Sequence, residues 1–205
     1  IYQNEAEIAM YPNVGNVVPG DLRFVDVKGD GIINTQDRTY LGSPIPDLMY
    51  GFSAGADFMG IGLSVDFYGV SGNKIVNAKK MNRFFGAPNF ESSFLEYWTG
   101  EGDASLEPRV TNGAYPNFEM SERFLEDGSY FRIRNITLTY DLPSRILGSI
   151  RMTRLQIFAS ATNPVTWTQF TGYSPEVGGG PVNRGIDRGS YPVARVYAIG
   201  LHAGF

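Results

Sequence analysis

The stretch DVKGDGIINTQD, residues 26–37, has the residue types and the spacing of a calcium-binding loop. Oxygen donors stand at the offsets that such a loop uses for the ion, and Gly31 stands at its sharp turn. The predicted ligands are Asp26, Asp30, the Ile32 carbonyl, Asn34 and Asp37. Lys28 breaks the pattern, because an ammonium group cannot coordinate a cation. Two interpretations stay open: a calcium site, or a metal-free turn whose carboxylates accept backbone N–H groups.

The chain offers no set of side chains suited to covalent or acid–base catalysis. It has no cysteine and one histidine, His202, whereas an activated nucleophile needs a base and a group that orients the base. We therefore predict no catalytic residues and no enzyme activity. The net charge of -4 also argues against a nucleic-acid partner, because phosphate binding needs clustered Lys and Arg.

Alternating apolar and polar residues predict five β-strands, which must position any such site. They are a hairpin at 49–70, a second hairpin at 130–164 and a terminal strand at 193–205. In the third strand the apolar set moves from odd to even positions at Arg134 and Asn135. One extra residue flips every side chain beyond it, so this change predicts a β-bulge.

Long polar segments and short turns alternate between these strands. The long segments are 1–48, which holds the Asp/Gly loop, 71–129 and 165–192. Long loops at one end and short turns at the other are typical of an outer-membrane β-barrel. The polar strand residues Asp57, Asp66 and His202 would then face the barrel lumen. Five strands cannot close such a barrel, so we expect 1–205 to be a fragment of one barrel domain that needs further strands from elsewhere.

Aromatic residues in the long segments form a third group of candidates. Aromatic rings stack on sugars and anchor protein interfaces, which makes them candidate contacts for a substrate or for a lid protein. These residues are Trp98, Trp167, Phe170 and Tyr173. Two alternatives compete with this interpretation: a girdle of rings at the membrane interface, and small cores inside the loops.

The order of motifs along the chain resembles the carboxy-terminal third of SusC/RagA-like TonB-dependent outer-membrane transporters. The first motif is PGDLRFVDVKGDGIINTQDRTYLGSPIPDLMYGFSAGADFMGIGLSVDFYGVSGNKIVN. Further on, FLEDGSYFRIRNITLTYDLP, LQIFASATNPVTWTQFTGYSPEV and YPVARVYAIGLHAGF are similar to the last three strands of that family.

This resemblance implies an all-β fold: the last antiparallel strands of a transmembrane barrel of about 22 strands with long extracellular loops. It implies a multi-pass protein of the bacterial outer membrane that imports oligosaccharides or peptides. The implied partners are the rest of the same transporter, a SusD-like surface lipoprotein, the lipid bilayer and TonB. The plug and the TonB box lie towards the amino terminus in that family, so we expect neither of them in this chain.

One alternative of a different class remains open. The same strands and Asp/Gly loop would suit a secreted soluble β-sandwich that binds carbohydrate, with calcium stapling the loop. In that fold one face of each sheet packs on a water-excluding core, whereas the barrel leaves the apolar face of its strands to lipid.

Overall fold

The structure is a computed structural model. It describes residues 1–82, 92–111, 116–149, 152–180 and 182–205. The chain divides into two compact units. Unit 1 comprises Ile1–Leu41 and Asn77–Leu125, and unit 2 comprises Gly42–Val76 and Glu126–Phe205.

The strands form two separate sheets. In chain order the strands are β1 (Leu48–Phe58), β2 (Ile61–Ser71), β3 (Lys74–Asn77), β4 (Leu125–Asp127), β5 (Tyr130–Asp141), β6 (Arg154–Thr168), β7 (Ile186–Asp187) and β8 (Val196–Gly204). The large sheet is antiparallel and has the order β1-β2-β5-β6-β8. The small sheet has the order β4-β3-β7. The five strands predicted from alternation are therefore the five strands of the large sheet.

The turn between β1 and β2 has the geometry that a two-residue hairpin loop requires. Met59 has a φ of 48° and Gly60 a φ of 83°, and positive φ at both central positions matches the twist of the flanking strands. The Gly60 carbonyl also accepts a hydrogen bond from the Asp141 N–H at 2.8 Å. This contact joins the turn to the end of β5.

The β-bulge predicted in β5 is confirmed. The pairing of β5 with both of its neighbours passes from Ile133 to Asn135 and leaves out Arg134. On β6 two residues, Asn163 and Pro164, lie opposite Arg134, since the register resumes at the next position. Proline removes a donor from the ladder and is tolerated at a bulge.

The ends of two strands differ from the prediction. The second hairpin was predicted to end at residue 164, but β6 continues to Thr168 because the ladder resumes after the bulge at Pro164. The terminal strand was predicted from residue 193, but β8 begins at Val196.

Short helices lie in segments that were predicted as loops or connectors. The α-helices are α1 (Glu5–Met10), α2 (Ala78–Asn82) and α3 (Ser144–Ser149). The Asn4 side chain caps α1 by accepting the Glu7 N–H at 3.0 Å, and helices of this length are too short to give a periodic sequence signal. In the described part of the chain, no helix is long and apolar enough to cross a membrane.

Unit 1 is organised around the buried carboxylate of Asp21. One oxygen accepts hydrogen bonds from Arg109 Nε at 2.7 Å and Asn117 Nδ2 at 2.9 Å, and the other accepts the Val18 N–H at 3.0 Å. Gly20 lies so close to the ring of Trp98 that a Cβ there would be 2.4 Å from it. The Gly-Asp pair of the first motif therefore has a packing role and an ion-pairing role in this unit.

Candidate functional site

The large sheet has an apolar face and a polar face, and the strand register defines them. The apolar face carries aliphatic and aromatic side chains on every strand: Tyr50, Phe52, Phe58, Ile61, Leu63, Val65, Phe67, Phe131, Ile136, Leu138, Tyr140, Ile157, Trp167, Tyr197, Ile199 and Leu201. Ile199 is 84% exposed and Leu201 is 66% exposed. A contiguous exposed apolar surface of this kind marks contact with lipid or with another protein.

This exposure is incompatible with the β-sandwich alternative. A sandwich buries the apolar face of one sheet against a second sheet about 10 Å away. In the large sheet every residue of β1 is exposed, and seven of the nine residues of β8 are exposed as well. The apolar face therefore has no core of its own among the residues that the structure describes.

Five rings form an aromatic row across one end of the apolar face. The row consists of Tyr50, Phe52, Phe67, Phe131 and Trp167. The ring centroids of Phe52 and Phe67 are 4.5 Å apart, and those of Phe67 and Phe131 are 5.7 Å apart. Trp167 stacks on Phe131 at 5.7 Å. The row spans four strands and ends near the long segments that follow β2 and β6.

The polar face carries the three residues predicted to face the lumen. Asp57 lies opposite Gly62, Asp66 lies opposite Asn135, and His202 lies opposite Gln156. These positions share one face, the one opposite the apolar residues.

Hydrogen bonds and a ring contact, within and between strands, hold polar side chains of this face in place. Ser53 Oγ donates to Asp66 Oδ1 at 2.6 Å, and Asn135 Nδ2 donates to Thr137 Oγ1 at 3.0 Å. The His202 ring stacks on Phe158 with centroids 5.0 Å apart. The polar face is therefore an ordered surface of hydroxyl, amide and carboxylate groups.

Sequence reasoning missed an ion-pair cluster on the polar face. The Arg132 side chain is 6% exposed; its Nη1 lies 2.9 Å from Glu176 Oε2 and its Nε donates to Thr166 Oγ1 at 2.8 Å. The Tyr130 hydroxyl donates to the other oxygen of Glu176 at 3.1 Å. The cluster ties the segment that follows β6 to the sheet. Arg132 could have been placed on the polar face by its parity, but nothing in the sequence pairs it with Glu176.

The Asp/Gly loop turns its carboxylates toward its own backbone. Asp26 accepts the Gly29 N–H at 2.6 Å through one oxygen and the Gly31 N–H at 2.7 Å through the other. Asp30 accepts the Ile32 N–H at 3.0 Å, and its second oxygen lies 3.2 Å from Lys28 Nζ. The lysine ammonium is therefore the cation that this loop holds.

Asp37 closes the same loop. It accepts the N–H of Asn34 at 2.8 Å and the N–H groups of Val27 and Lys28 at 3.1 and 3.2 Å. These bonds, that from Asn34 first, lower the pKa of Asp37. Asn34 itself accepts the Gln36 N–H at 2.7 Å and caps a short 3₁₀ helix.

The five predicted ligands therefore lie on one loop, and their carboxylates accept backbone N–H groups, as the second interpretation predicts. Calcium needs six to eight oxygen ligands that converge on the ion. Among the described residues, no group of three or more acidic, histidine or cysteine side chains is placed to hold a metal. Of the two interpretations, the geometry matches the turn in which Lys28 supplies the counter-charge.

The four aromatic candidates occupy four different environments. Phe170 is 5% exposed, so it is a loop-core residue and cannot be the contact that was predicted. Trp98 is half-buried, and its Nε1 donates to Gln3 Oε1 at 3.3 Å in unit 1. Trp167 belongs to β6 and to the aromatic row, whereas the prediction placed it in a loop. Only Tyr173 combines a loop position with high exposure, at 66%.

No family model matches the chain. TonB-dependent receptor P26 of Formosa agariphila is 31% identical over 92% of the chain, and TonB-dependent receptor SusC of Bacteroides thetaiotaomicron is 22% identical over 93% of it. The chain spans about one fifth of the length of these relatives, 20% and 18% respectively.

Solved structures match as well. The structure of the RagAB peptide transporter matches 80% of the chain with a TM-score of 0.67 and 27% identity, over 18% of its own length. The RagAB peptide importer in the closed-closed state matches 90% of the chain with a TM-score of 0.70 and 26% identity, over 21% of its own length.

The matched fold defines the class of the chain: antiparallel strands of a large transmembrane β-barrel, as the sequence predicted. The predicted family is confirmed too. Over more than 90% of its length the chain is similar to TonB-dependent receptors, SusC among them, and it is similar in fold to the RagAB structures.

Proposed function

We propose that the chain forms a wall segment of a TonB-dependent importer of nutrients in the bacterial outer membrane. The apolar face contacts lipid and the polar face lines the barrel lumen. One observation carries this proposal: across all five strands the exposed side chains of one face are apolar, while the opposite face holds Asp57, Asp66 and His202.

The distribution of charge supports this orientation. A charged group facing lipid near the bilayer midplane costs about 2–4 kcal/mol for Arg or Lys, and less for Asp or Glu. The register places Asp57 and Asp66 on the same face as Arg132. A lumen that contains water solvates these groups, so the assigned orientation avoids that cost.

We further propose that the intact receptor takes up oligosaccharides or peptides together with a SusD-like lipoprotein, driven by TonB. The likeness to SusC and to the RagAB peptide transporter supports this assignment. The plug and the TonB-contacting region belong to parts of such receptors outside this segment. The role of this segment is architectural, not enzymatic, and Tyr173 is the best placed of the predicted aromatic contacts because its ring is exposed.

A pair of adjacent substitutions in the intact receptor tests the orientation. Leu201→Arg puts a charge on the apolar face, and His202→Arg puts the same charge on the polar face of the same strand. We expect the first variant to lose most of its insertion into the outer membrane and the second to insert normally. Insertion is measured as the amount of folded receptor in outer-membrane fractions. Equal insertion of the two variants would contradict the proposal.

The substrate class needs a separate measurement. The bacterium is grown with peptides or with an oligosaccharide as the sole carbon source. Deletion of the receptor, or of its lipoprotein partner, should stop growth on one of these nutrients. Growth that continues unchanged on both classes of nutrient would contradict the import assignment without affecting the orientation of the sheet.

A further inference from the structure

A groove of about 430 Å³ lies at the edge of the apolar face, where the strands meet the connecting segments of unit 2. We name it the rim groove. Its walls include Tyr50, Ser71, Asp127, Ser129, Trp167 and Gln169. Tyr50 and Trp167 belong to the aromatic row, where both stack on Phe131, so the groove is continuous with the apolar face.

The rim groove combines aromatic rings with polar groups. Trp167 is 52% exposed, and Tyr50 is exposed as well. The side chains of Ser71 and Gln169 are exposed and make no hydrogen bond with any other residue that the structure describes. A flat aromatic ring can pack on the C–H face of a sugar. Hydroxyl and amide groups beside the ring can form hydrogen bonds with the sugar hydroxyls. The rim groove therefore has both kinds of group that carbohydrate binding uses.

Asp127 sets the charge of the groove. Its Oδ1 accepts the Ser129 N–H at 2.9 Å. The hydrogen bonds from Ser129, first from its side chain and then from its backbone, and the nearby charge of Lys74 lower the pKa of Asp127, so the carboxyl group is ionised at neutral pH. A carboxylate in the wall repels phosphate and accepts hydrogen bonds from hydroxyl groups. The groove therefore favours an uncharged sugar over a phosphorylated one.

We propose that the rim groove binds the sugar headgroup of a glycolipid of the outer leaflet, whose acyl chains lie along the apolar face below it. This inference rests on the proposed lipid contact of the apolar face. The occupant follows from position and charge together: the groove opens beside a surface that contacts acyl chains, and its own groups suit sugar hydroxyls. Trp167 stacks on the sugar ring, while Gln169 and Asp127 accept hydrogen bonds from its hydroxyl groups.

The test uses the intact receptor in phosphatidylcholine vesicles, with and without a diacyl glycolipid that carries an uncharged disaccharide. Native mass spectrometry counts the glycolipid molecules retained by each receptor. We expect Trp167→Leu to lower retention about fivefold, since a ring contact contributes about 1 kcal/mol. We expect Gln169→Ala to lower it about threefold through one lost hydrogen bond.

Tyr140→Leu is the matched control. Tyr140 lies on the same face of the sheet, near the opposite end of β5, and is also exposed. This variant loses an aromatic ring from the apolar face without touching the groove, so we expect retention of the glycolipid to stay unchanged. Equal losses in Tyr140→Leu and Trp167→Leu would mean a general effect of aromatic rings and would overturn the assigned groove.

The outcomes of this experiment distinguish the glycolipid proposal from the proposed lipid contact on which it rests. A receptor that does not insert into vesicles of phosphatidylcholine alone contradicts the lipid contact of the apolar face. A receptor that inserts but retains as much glycolipid in Trp167→Leu as in the natural sequence overturns the groove assignment alone. If the free disaccharide binds as tightly as the glycolipid and depends equally on Trp167, the occupant is a soluble sugar and the glycolipid assignment is wrong.

Discussion

Unit 1 and the large sheet of unit 2 place polar and apolar side chains in opposite ways. In unit 1 the rings of Tyr2 and Phe124 are buried, at 1% and 2% exposure, and the buried Asp21 carboxylate is surrounded by donors. In the sheet, Ile199 and Leu201 are among the most exposed side chains. Apolar side chains are thus buried in unit 1 and exposed on the sheet. This difference is expected when the two regions face different solvents. Water and internal hydrogen bonds satisfy the polar groups of unit 1, whereas the proposed lipid contact would cover the apolar face.

Removal of the buried carboxylate should have the largest effect on unit 1. Asp21→Ala leaves Arg109 without its ion pair and two further donors, Asn117 Nδ2 and the Val18 N–H, without an acceptor. We expect a loss of about 2–3 kcal/mol in the local stability of unit 1, because an uncompensated charge is left in a partly buried site. Hydrogen exchange of residues 18–22 and 107–111 in the intact receptor measures this loss.

Asp30→Ala is the control for that variant. Asp30 is an exposed carboxylate whose partner is Lys28, so we expect a change below about 0.5 kcal/mol. If both variants accelerate exchange to the same extent, the contrast between buried and exposed carboxylates in unit 1 is not real.

A smaller effect should follow from loss of the ion pair on the polar face. Glu176→Gln keeps the size of the side chain but leaves the buried Arg132 without a counter-charge. We expect about 1–2 kcal/mol less protection of the segment that follows β6, measured as faster proteolysis within residues 170–180. Glu126→Gln is the control, because Glu126 also holds this segment, by accepting a hydrogen bond from the Thr171 hydroxyl. Since Thr171 is exposed, we expect this variant to accelerate proteolysis less than Glu176→Gln does. A reversed order would contradict the assigned role of Arg132.

The Asp/Gly loop offers a substitution that should create a property instead of removing one. Lys28→Asp replaces the internal cation with an oxygen ligand at the offset where a calcium loop needs it. We expect this variant to bind calcium with a dissociation constant of about 10⁻⁴–10⁻³ M, as measured by terbium luminescence and calcium competition. Lys28→Ala removes the ammonium group without adding a ligand and should bind no calcium. Binding by the natural sequence would contradict the role assigned to Lys28.

The smallest predicted effect is a dependence on pH in unit 1. Hydrogen bonds from Ser105 and Thr99 lower the pKa of Asp103 from 3.8 to about 2. Because the folded form holds the proton less tightly than the unfolded form, the turn is fully stabilised above pH 3.8 and loses this contribution as the pH falls toward 2. Hydrogen exchange of Thr99 and Ser105 should therefore gain protection as the pH rises through this range. The same profile in Asp103→Asn would contradict the assignment.

The strands and their faces could be predicted from the sequence, because the alternation of side chains along a strand is a local signal. The bulge at Arg134 was visible for the same reason, as a change of parity. The end of β6 was misplaced because Asn163 and Pro164 read as a terminator, whereas the bulge accommodates them.

The polar clusters could not be predicted, because their partners are far apart in the chain. Asp21 and Arg109 are separated by 88 residues, and Tyr130 and Glu176 by 46. In the Asp/Gly loop the spacing of the acidic residues could be predicted from the sequence. The direction in which each carboxylate turns could not, because it depends on backbone N–H groups and on Lys28. Composition likewise could not show that Phe170 is buried while Tyr173 is exposed.

Lipid contact along β8 is the most direct test of the account. The chain has no cysteine, so single cysteines can be placed at alternating positions, Ile199→Cys and Leu201→Cys on one face and Ala198→Cys and His202→Cys on the other, in an intact receptor that has no other cysteine. Spin labels at the first pair should collide with oxygen dissolved in the bilayer, and those at the second pair with a water-soluble nickel complex. The same accessibility at all four positions, or the reverse pattern, would contradict the assignment of the apolar face to lipid.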